Sequence, residues 1–254
     1  MQTDIVLLDI PSPKPLPTSP NTWKVRLALN YKKLNYRTQW VPTSAIEAVC
    51  RPLGIAPTGI KPNGSPHYTL PAIIDRTDPS HPIFLSDSMP IVEYLEKTYP
   101  PAPGTELFPG NTLSLQAVFV QFVMGRLMAF IPELAIMAIY HSKSPDEQLD
   151  FKQRIETRFG KPIDAIEKQG AEREASFKAL EQVFTMLKFA FSKNEDGDFL
   201  MGSQVSFADF ALFGFLTMIK SASPEEIYPR IISWDGGRWG RYLEGFEGWI
   251  AVDK

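Results

Sequence analysis

The sequence predicts an α/β domain over residues 1–106 followed by an all-helical domain over 109–254. Three observations carry that division. Eighteen of the 23 prolines fall in residues 1–109. In that part short β-like apolar runs alternate with helical ones, whereas the rest has long stretches of helical periodicity. Between them lies Pro100-Pro101-Ala102-Pro103-Gly104, a linker by composition.

In order, Ile5-Val6-Leu7-Leu8 reads as a buried strand, and a proline-rich loop through Pro11, Pro13, Pro15 and Pro17 follows it. Ser19-Pro20 opens a helix to about Lys33, because serine is a good N-cap and proline suits the first helical position. Tyr36 to Val41 suits a second strand and Ala45 to Cys50 a short helix. After the Gly/Pro-rich stretch Arg51 to Pro66 come a strand over Thr69–Ile74 and another at Ile83-Phe84-Leu85. Asp87-Ser88 then begins a helix to about Thr98, with Ile91, Val92 and Leu95 at helical spacing. The order is a strand–helix alternation, a hairpin and a closing helix. Beyond the linker, helices are expected over 112–140, 145–159, 163–193 and 206–220, with shorter ones after 224.

Composition narrows the function. The chain has 254 residues, 44% of them hydrophobic, and a formal charge of −3, enough apolar content for a proper core and no sign of disorder. Residues 1–108 hold ten Lys/Arg against nine Asp/Glu, and 109–254 hold sixteen against twenty. Neither half has the basic field that nucleic acid or an anionic membrane demands. The one cysteine, Cys50, allows no intrachain disulfide, and His67, His81 and His141 show no metal-ligand spacing, so no metal is expected. Gln121, Arg126 and Glu133 interrupt the apolar run of 117–140, which reads as buried helix. The start has neither the basic nor the apolar region of a signal peptide, so the expectation is a cytoplasmic protein.

Three constellations carry chemistry. Leu70-Pro71 opens a strand, where proline removes a ladder donor. The proline either sits at an edge or first position, or follows a cis bond that turns the Leu70 backbone outward to pair with a bound peptide. Asp87-Ser88 either caps its helix or seats a carboxylate on the free amides of the first turn. Ser19, ahead of Pro20-Asn21-Thr22-Trp23, is either an N-cap or a hydroxyl that holds an anion beside helix amides.

Taken together, Ser19, Pro71 some fifty residues on, Asp87-Ser88 sixteen further, and Ser206-Phe207-Ala208-Asp209 opening an apolar helix resemble the glutathione transferase family over essentially the whole chain. The last motif resembles that family's capping box. Ser-Pro-Asn-Thr-Trp followed by Lys-Val-Arg is similar to the fungal FuA, or etherase-like, branch related to lignin β-etherases. The resemblance implies a thioredoxin-like glutathione-binding domain, then a helical bundle that supplies a hydrophobic substrate site. It implies a serine-type enzyme in which Ser19 activates the glutathione thiol and Asn21 assists. Glutathione as cosubstrate would be held by Ser19, Trp23, Lys61, Thr69, Leu70, Pro71, Asp87 and Ser88, with Lys61 on the glycyl carboxylate. Phe119, Phe122, Val123, Met124 and Leu127 are candidates for the apolar wall, of which about a third should face the substrate because a helix presents a limited stripe. The Pro11–Pro17 loop would form the opposite rim. Aromatic electrophiles, peroxides and aryl ethers are the implied substrates, a homodimer the implied assembly, and a ligandin that binds aromatic molecules without turnover the alternative.

Overall fold

The structure is a computed structural model that describes residues 2–253 except Pro13, Pro15, Pro62, Glu195 and Asp196. The chain forms two compact units: residues up to Asn111 together with those from Glu247 onward, and Thr112–Phe246.

The first unit runs β1 (Ile5–Asp9), α1 (Pro20–Tyr31), β2 (Tyr36–Trp40), α2 (Ile46–Cys50), β3 (Gly59–Ile60), β4 (Pro66–His67), β5 (Ala72–Asp75), β6 (Ile83–Ser86) and α3 (Ser88–Thr98). Its main sheet has the order β2-β1-β5-β6, with β1 parallel to β2 and antiparallel to β5, and β5 antiparallel to β6. This is the thioredoxin-like arrangement expected above. The expected strand over Thr69–Ile74 starts later, at Ala72, and β3 and β4 form a small hairpin of their own inside the Gly/Pro-rich stretch.

Every residue of β1 is buried, which fits a central strand covered on both faces. Alternation sends Val6 and Leu8 to one face, where they cluster with Ala72, Ile74, Ile46, Cys50 and Ile55. Helices α1 and α3 pack against one another, and α3 also contacts β5 and β6. The register places Leu8 of β1 opposite Ala72 of β5, and Ala72 opposite Ser86 of β6. One end of the sheet, across the strand direction, therefore gathers the end of β1, the start of β5 and the end of β6.

The carboxyl-terminal tail corrects the expected boundary, since residues from Glu247 onward belong with the first unit and not with 109–246. Its backbone carbonyls are the reason. Asn30 donates to the Trp249 and Ala251 carbonyls at 2.5 and 2.8 Å, the Tyr36 hydroxyl donates to those of Ala251 and Val252, and Arg26 donates to that of Val252. Arg26 is itself fully buried and paired with Asp9 at 2.8 Å.

The second unit comprises α4 (Leu113–Ala129), α5 (Ile131–Leu134), α6 (Ile136–His141), α7 (Pro145–Phe159), α8 (Gly170–Phe191), α9 (Phe207–Ala222) and α10 (Ile227–Glu244). The single helix expected over 112–140 is three, because the chain breaks at Phe130, just before Pro132 in the first turn of α5, and again at Ala135. The helix expected over 163–193 begins only at Gly170, after a short 3-10 turn at Ile163–Ala165 and an extended Gln169. Helix α10 is interrupted where Asp235, Gly236 and Gly237 take positive φ.

Helix α9 is the core of the unit, and α4, α10 and α6 pack on it. Its start is the expected capping box. The Ser206 amide and hydroxyl donate to one Asp209 carboxylate oxygen at 2.9 and 2.8 Å, while the Leu200 amide and Tyr242 hydroxyl donate to the other. Burial pushes the Asp209 carboxyl up to about 6, against the pull of these donors. The stretch Leu113–Leu134 is apolar enough, at mean hydropathy 1.5, to cross a membrane on composition alone. Its buried Gln116 nevertheless accepts from the Ala208 amide, which ties α4 to α9 within the bundle.

Candidate functional site in the first unit

That end of the sheet brings together what the sequence left more than fifteen residues apart. The Leu70–Pro71 bond is cis. The Asp87 amide donates to the Pro71 carbonyl at 3.2 Å, so the strand-opening proline and the Asp-Ser pair are direct neighbours. Leu70 itself packs its side chain into the core, 4% exposed, which leaves its backbone as the part able to meet a ligand.

Asp87 has φ 73 and ψ 138, a backbone conformation uncommon outside glycine, and its side chain makes no capping hydrogen bond to α3. Its carboxylate accepts from the Ser88 hydroxyl at a long 3.5 Å. Ser88 is 3% exposed. No side chain caps the first turn of α3, and the Asp87 backbone is held in a conformation that needs support from its surroundings. Both features suit a seat for an anionic group at a helix start.

Ser19 is the N-cap of α1, and its hydroxyl oxygen accepts from the Thr22 amide at 3.4 Å. An accepting hydroxyl keeps its proton to donate, so the capping and the anion-holding readings are compatible in one geometry. Asn21, the next polar residue, is exposed. Trp23 departs from the expectation. It is fully buried and its indole donates to the Pro17 carbonyl at 2.7 Å, so it anchors the preceding loop and has no surface to offer glutathione.

Thr69 is half-buried, and its hydroxyl shares a hydrogen bond with Thr58 at 2.8 Å, which ties the β3–β4 hairpin to the approach of β5. Lys61 lies at the end of β3 and pairs with Glu47 of α2 at 3.2 Å, both partly exposed. A ligand carboxylate would have to compete with Glu47 for it. Pro11, Ser12, Lys14, Leu16 and Pro17 wall a cavity of about 280 Å³ with Trp40 and Val252; Pro13 and Pro15 lie outside the described residues.

The apolar wall is the part most changed by the structure. Gln116, Val120, Val123 and Leu127 form the buried stripe of α4, the helix that packs on α9. Val123 and Leu127, 2% and 0% exposed, are core of the helical unit and cannot meet a substrate arriving from solvent. Phe122 is 49% exposed and carries the Arg126 guanidinium 4.4 Å over its ring. Phe119 and Met124 are half-buried on opposite flanks of that stripe, since five residues turn a helix by roughly 140°.

Lys24 escaped the sequence reading. It lies on α1, five residues after Ser19, and is 9% exposed. Burial pushes its ammonium down to about 8, against the opposing pull of Asp87. The signal available in the sequence was a lysine inside an otherwise core-facing helix segment, Trp23 to Leu29.

The family models fit this geometry. Residues 18–98 match the glutathione S-transferase N-terminal domain, and residues 114–249 match the glutathione S-transferase C-terminal domain. The chain belongs to the glutathione S-transferase family. A glutathione S-transferase-like protein, ustS, of Aspergillus flavus is 30% identical over 214 residues, covering 78% of this chain and 73% of the relative. Among solved structures, glutathione transferase GSTFuA3 from Phanerochaete chrysosporium superposes with a TM-score of 0.88 at 34% identity, over all of both chains. The glutathione S-transferase CsGST63524 of Ceriporiopsis subvermispora, solved in complex with glutathione, gives 0.87 at 30% identity over 98% of this chain and 99% of that one. The family places the first unit as its amino-terminal domain, where Pro71, Asp87, Ser88 and Ser19 lie.

Proposed function

We propose that this chain is a glutathione transferase that holds the glutathione thiol as thiolate with Ser19 and directs it at hydrophobic aromatic electrophiles. The observation that carries the reading is the Ser19 hydroxyl, fixed at the start of α1 by the Thr22 amide with its own proton left to donate. A free thiol titrates near 8.5, so about two units of lowering makes it mostly thiolate at pH 7 and requires about 2.7 kcal/mol. A hydrogen bond to a charged group supplies about 1.5–3 kcal/mol, and the α1 dipole adds to it. Ser19 is therefore a donor and not a covalent nucleophile. The sulfur attacks the electrophilic carbon, and the leaving group departs with the bonding electrons. Asp87 and Ser88 take the γ-glutamyl end, the Leu70 backbone pairs with the cysteinyl part, and Lys61 is the candidate for the glycyl carboxylate. The GSTFuA-named relatives at TM-scores of 0.88 and 0.84 support placement in the FuA, etherase-like branch, with peroxides and β-aryl ethers as further substrates.

The test compares the thiolate absorbance of bound glutathione against pH in wild type and Ser19→Ala. The variant should bind glutathione nearly as well, titrate one to two units higher, and lose roughly 10- to 100-fold in rate at pH 7, recovering as pH rises. Equal titrations would reduce Ser19 to a cap.

That outcome would make Asn21 or the backbone amides at the start of α1 the leading candidates for holding the thiolate. The second reading is a ligandin that binds aromatic molecules without turnover. Equilibrium binding beside turnover of chloro-dinitrobenzene, isothiocyanates, hydroperoxides and β-aryl ethers separates the two. The assembly we propose is a homodimer. Leu115, Val118 and Phe122 present an exposed apolar stripe on α4, 72%, 68% and 49% accessible, which a second copy would cover. Val118→Asp should shift the mass in solution to that of one chain; an unchanged mass in both proteins contradicts it.

A further inference from the structure

Helix α1 buries Lys24, Arg26 and Asn30, and the last two are anchored by several hydrogen bonds, although Arg26 Nε and Asn30 Oδ1 are left without a partner among the described residues. Arg26 pairs with Asp9 and donates to Tyr36, Thr38 and the Val252 carbonyl. The Asn30 amide nitrogen serves the tail carbonyls. Lys24 is the exception. Among the described residues its ammonium has no ion pair and no hydrogen bond, although the residue is 9% exposed. Lys24 Nζ is not among the fully buried unpartnered atoms, so the ammonium keeps some contact with solvent while most of the side chain is covered. A charge so largely removed from water is costly, and pairing it relieves that cost.

The charge that acts on Lys24 is Asp87, across the α1–α3 packing. The two do not reach ion-pair contact, and Asp87 is exposed at the open start of α3. A cation and an anion kept in range of each other but unpaired form the complement of an α-amino acid head, which carries an ammonium and a carboxylate on one carbon. The γ-glutamyl end of glutathione is such a head. On α1 itself the other charge is Arg26, already paired with Asp9. From α3 the group that faces Lys24 is Asp87.

We propose that Lys24 is a glutathione-binding residue whose ammonium takes the α-carboxylate of the γ-glutamyl group while Asp87 takes its ammonium. The proposal rests on the reading of the α1 and α3 starts as a glutathione site, and it makes the bound peptide the partner of a largely covered lysine whose ammonium still reaches solvent. Because free Lys24 loses its proton near pH 8, pairing with a carboxylate pulls a proton onto it, and binding at that pH takes protons from solution.

The probe is S-methylglutathione, which has no thiol to titrate, followed by calorimetry at pH 6.5 and pH 8 in buffers of different ionisation enthalpy. Wild type at pH 8 should take up about half a proton more than Lys24→Arg, whose guanidinium does not titrate, and the difference should vanish at pH 6.5. Lys24→Arg should bind within a few-fold of wild type, and Lys24→Met should bind roughly tenfold or more weakly, as for a lost charge-assisted hydrogen bond. Equal proton uptake by wild type and Lys24→Arg at pH 8 overturns the proposal and leaves the glutathione site standing, and so does full affinity in a folded Lys24→Met. Failure of wild type to bind S-methylglutathione at either pH overturns the site and the proposal together. The comparison of wild type with Lys24→Arg decides the matter even if Lys24→Met does not fold.

Discussion

At the start of α9, Ser206 and Asp209 spend their polar groups on one another and on Leu200 and Tyr242, and both residues are fully buried. At the start of α3, Asp87 and Ser88 bring the same two residue types to the same place on a helix. There the aspartate is exposed, caps nothing and sits at positive φ. The difference teaches that a serine–acid pair at a helix start is defined by what its lone pairs and protons are doing. Closed on itself, the pair is a structural lock; left open, its groups remain free for a ligand, which is the role proposed for it above.

The largest effect that sharpens the contrast is on stability at α9. Asp209→Ala leaves the Ser206 amide and hydroxyl and the Leu200 amide without that acceptor in the core, while the Tyr242 hydroxyl keeps the residue-209 carbonyl. The expected loss is about 3–5 kcal/mol, read by chemical denaturation. A loss below about 1 kcal/mol would mean that the box is not a lock.

Next comes Lys24, where the open site should carry a stability cost. The unfolded chain keeps the Lys24 proton up to its ordinary value of 10.5, and the folded chain only to about 8. Between those values the unfolded chain binds more protons, so stability rises with pH; below about 8 the burden is complete. Lys24→Met should therefore be more stable than wild type at pH 7, by at most about 3 kcal/mol, with the gap closing as pH climbs toward 10.5. Melts across that range check it, and a variant less stable at pH 7 would contradict the burial argument. Asp87→Asn is the smallest of the three. Asparagine tolerates positive φ, and the change removes the charge that supports the Lys24 ammonium, so the pH at which the gap begins to close should move below 8.

Local chemistry explains which parts of this were legible beforehand. Ser19-Pro20, Asp87-Ser88 and Ser206…Asp209 each announce a helix start within four residues, and each helix begins where those residues put it. The break at Phe130 escaped the sequence reading, because the evenly apolar run around it has no polar face to show where one helix stops and Pro132 is its one local sign. The tail gave no local sign, because its carbonyls are held by Asn30 and Tyr36 more than 210 residues away in sequence. Val123 and Leu127 were indistinguishable from a substrate wall, since a core stripe and a ligand stripe share the same spacing. Trp23 was misplaced for a related reason: an aromatic next to a site motif reads as a contact until its indole proves to be spent on Pro17.

The central claim is that the open pair at α3 receives glutathione, and calorimetric titration of glutathione into wild type and Ser88→Ala tests it most directly. Loss of the serine hydroxyl should weaken binding by about 1–3 kcal/mol, as for a hydrogen bond to a charged group, while the melting temperature stays close to that of wild type. Equal affinities in the two proteins would contradict the claim.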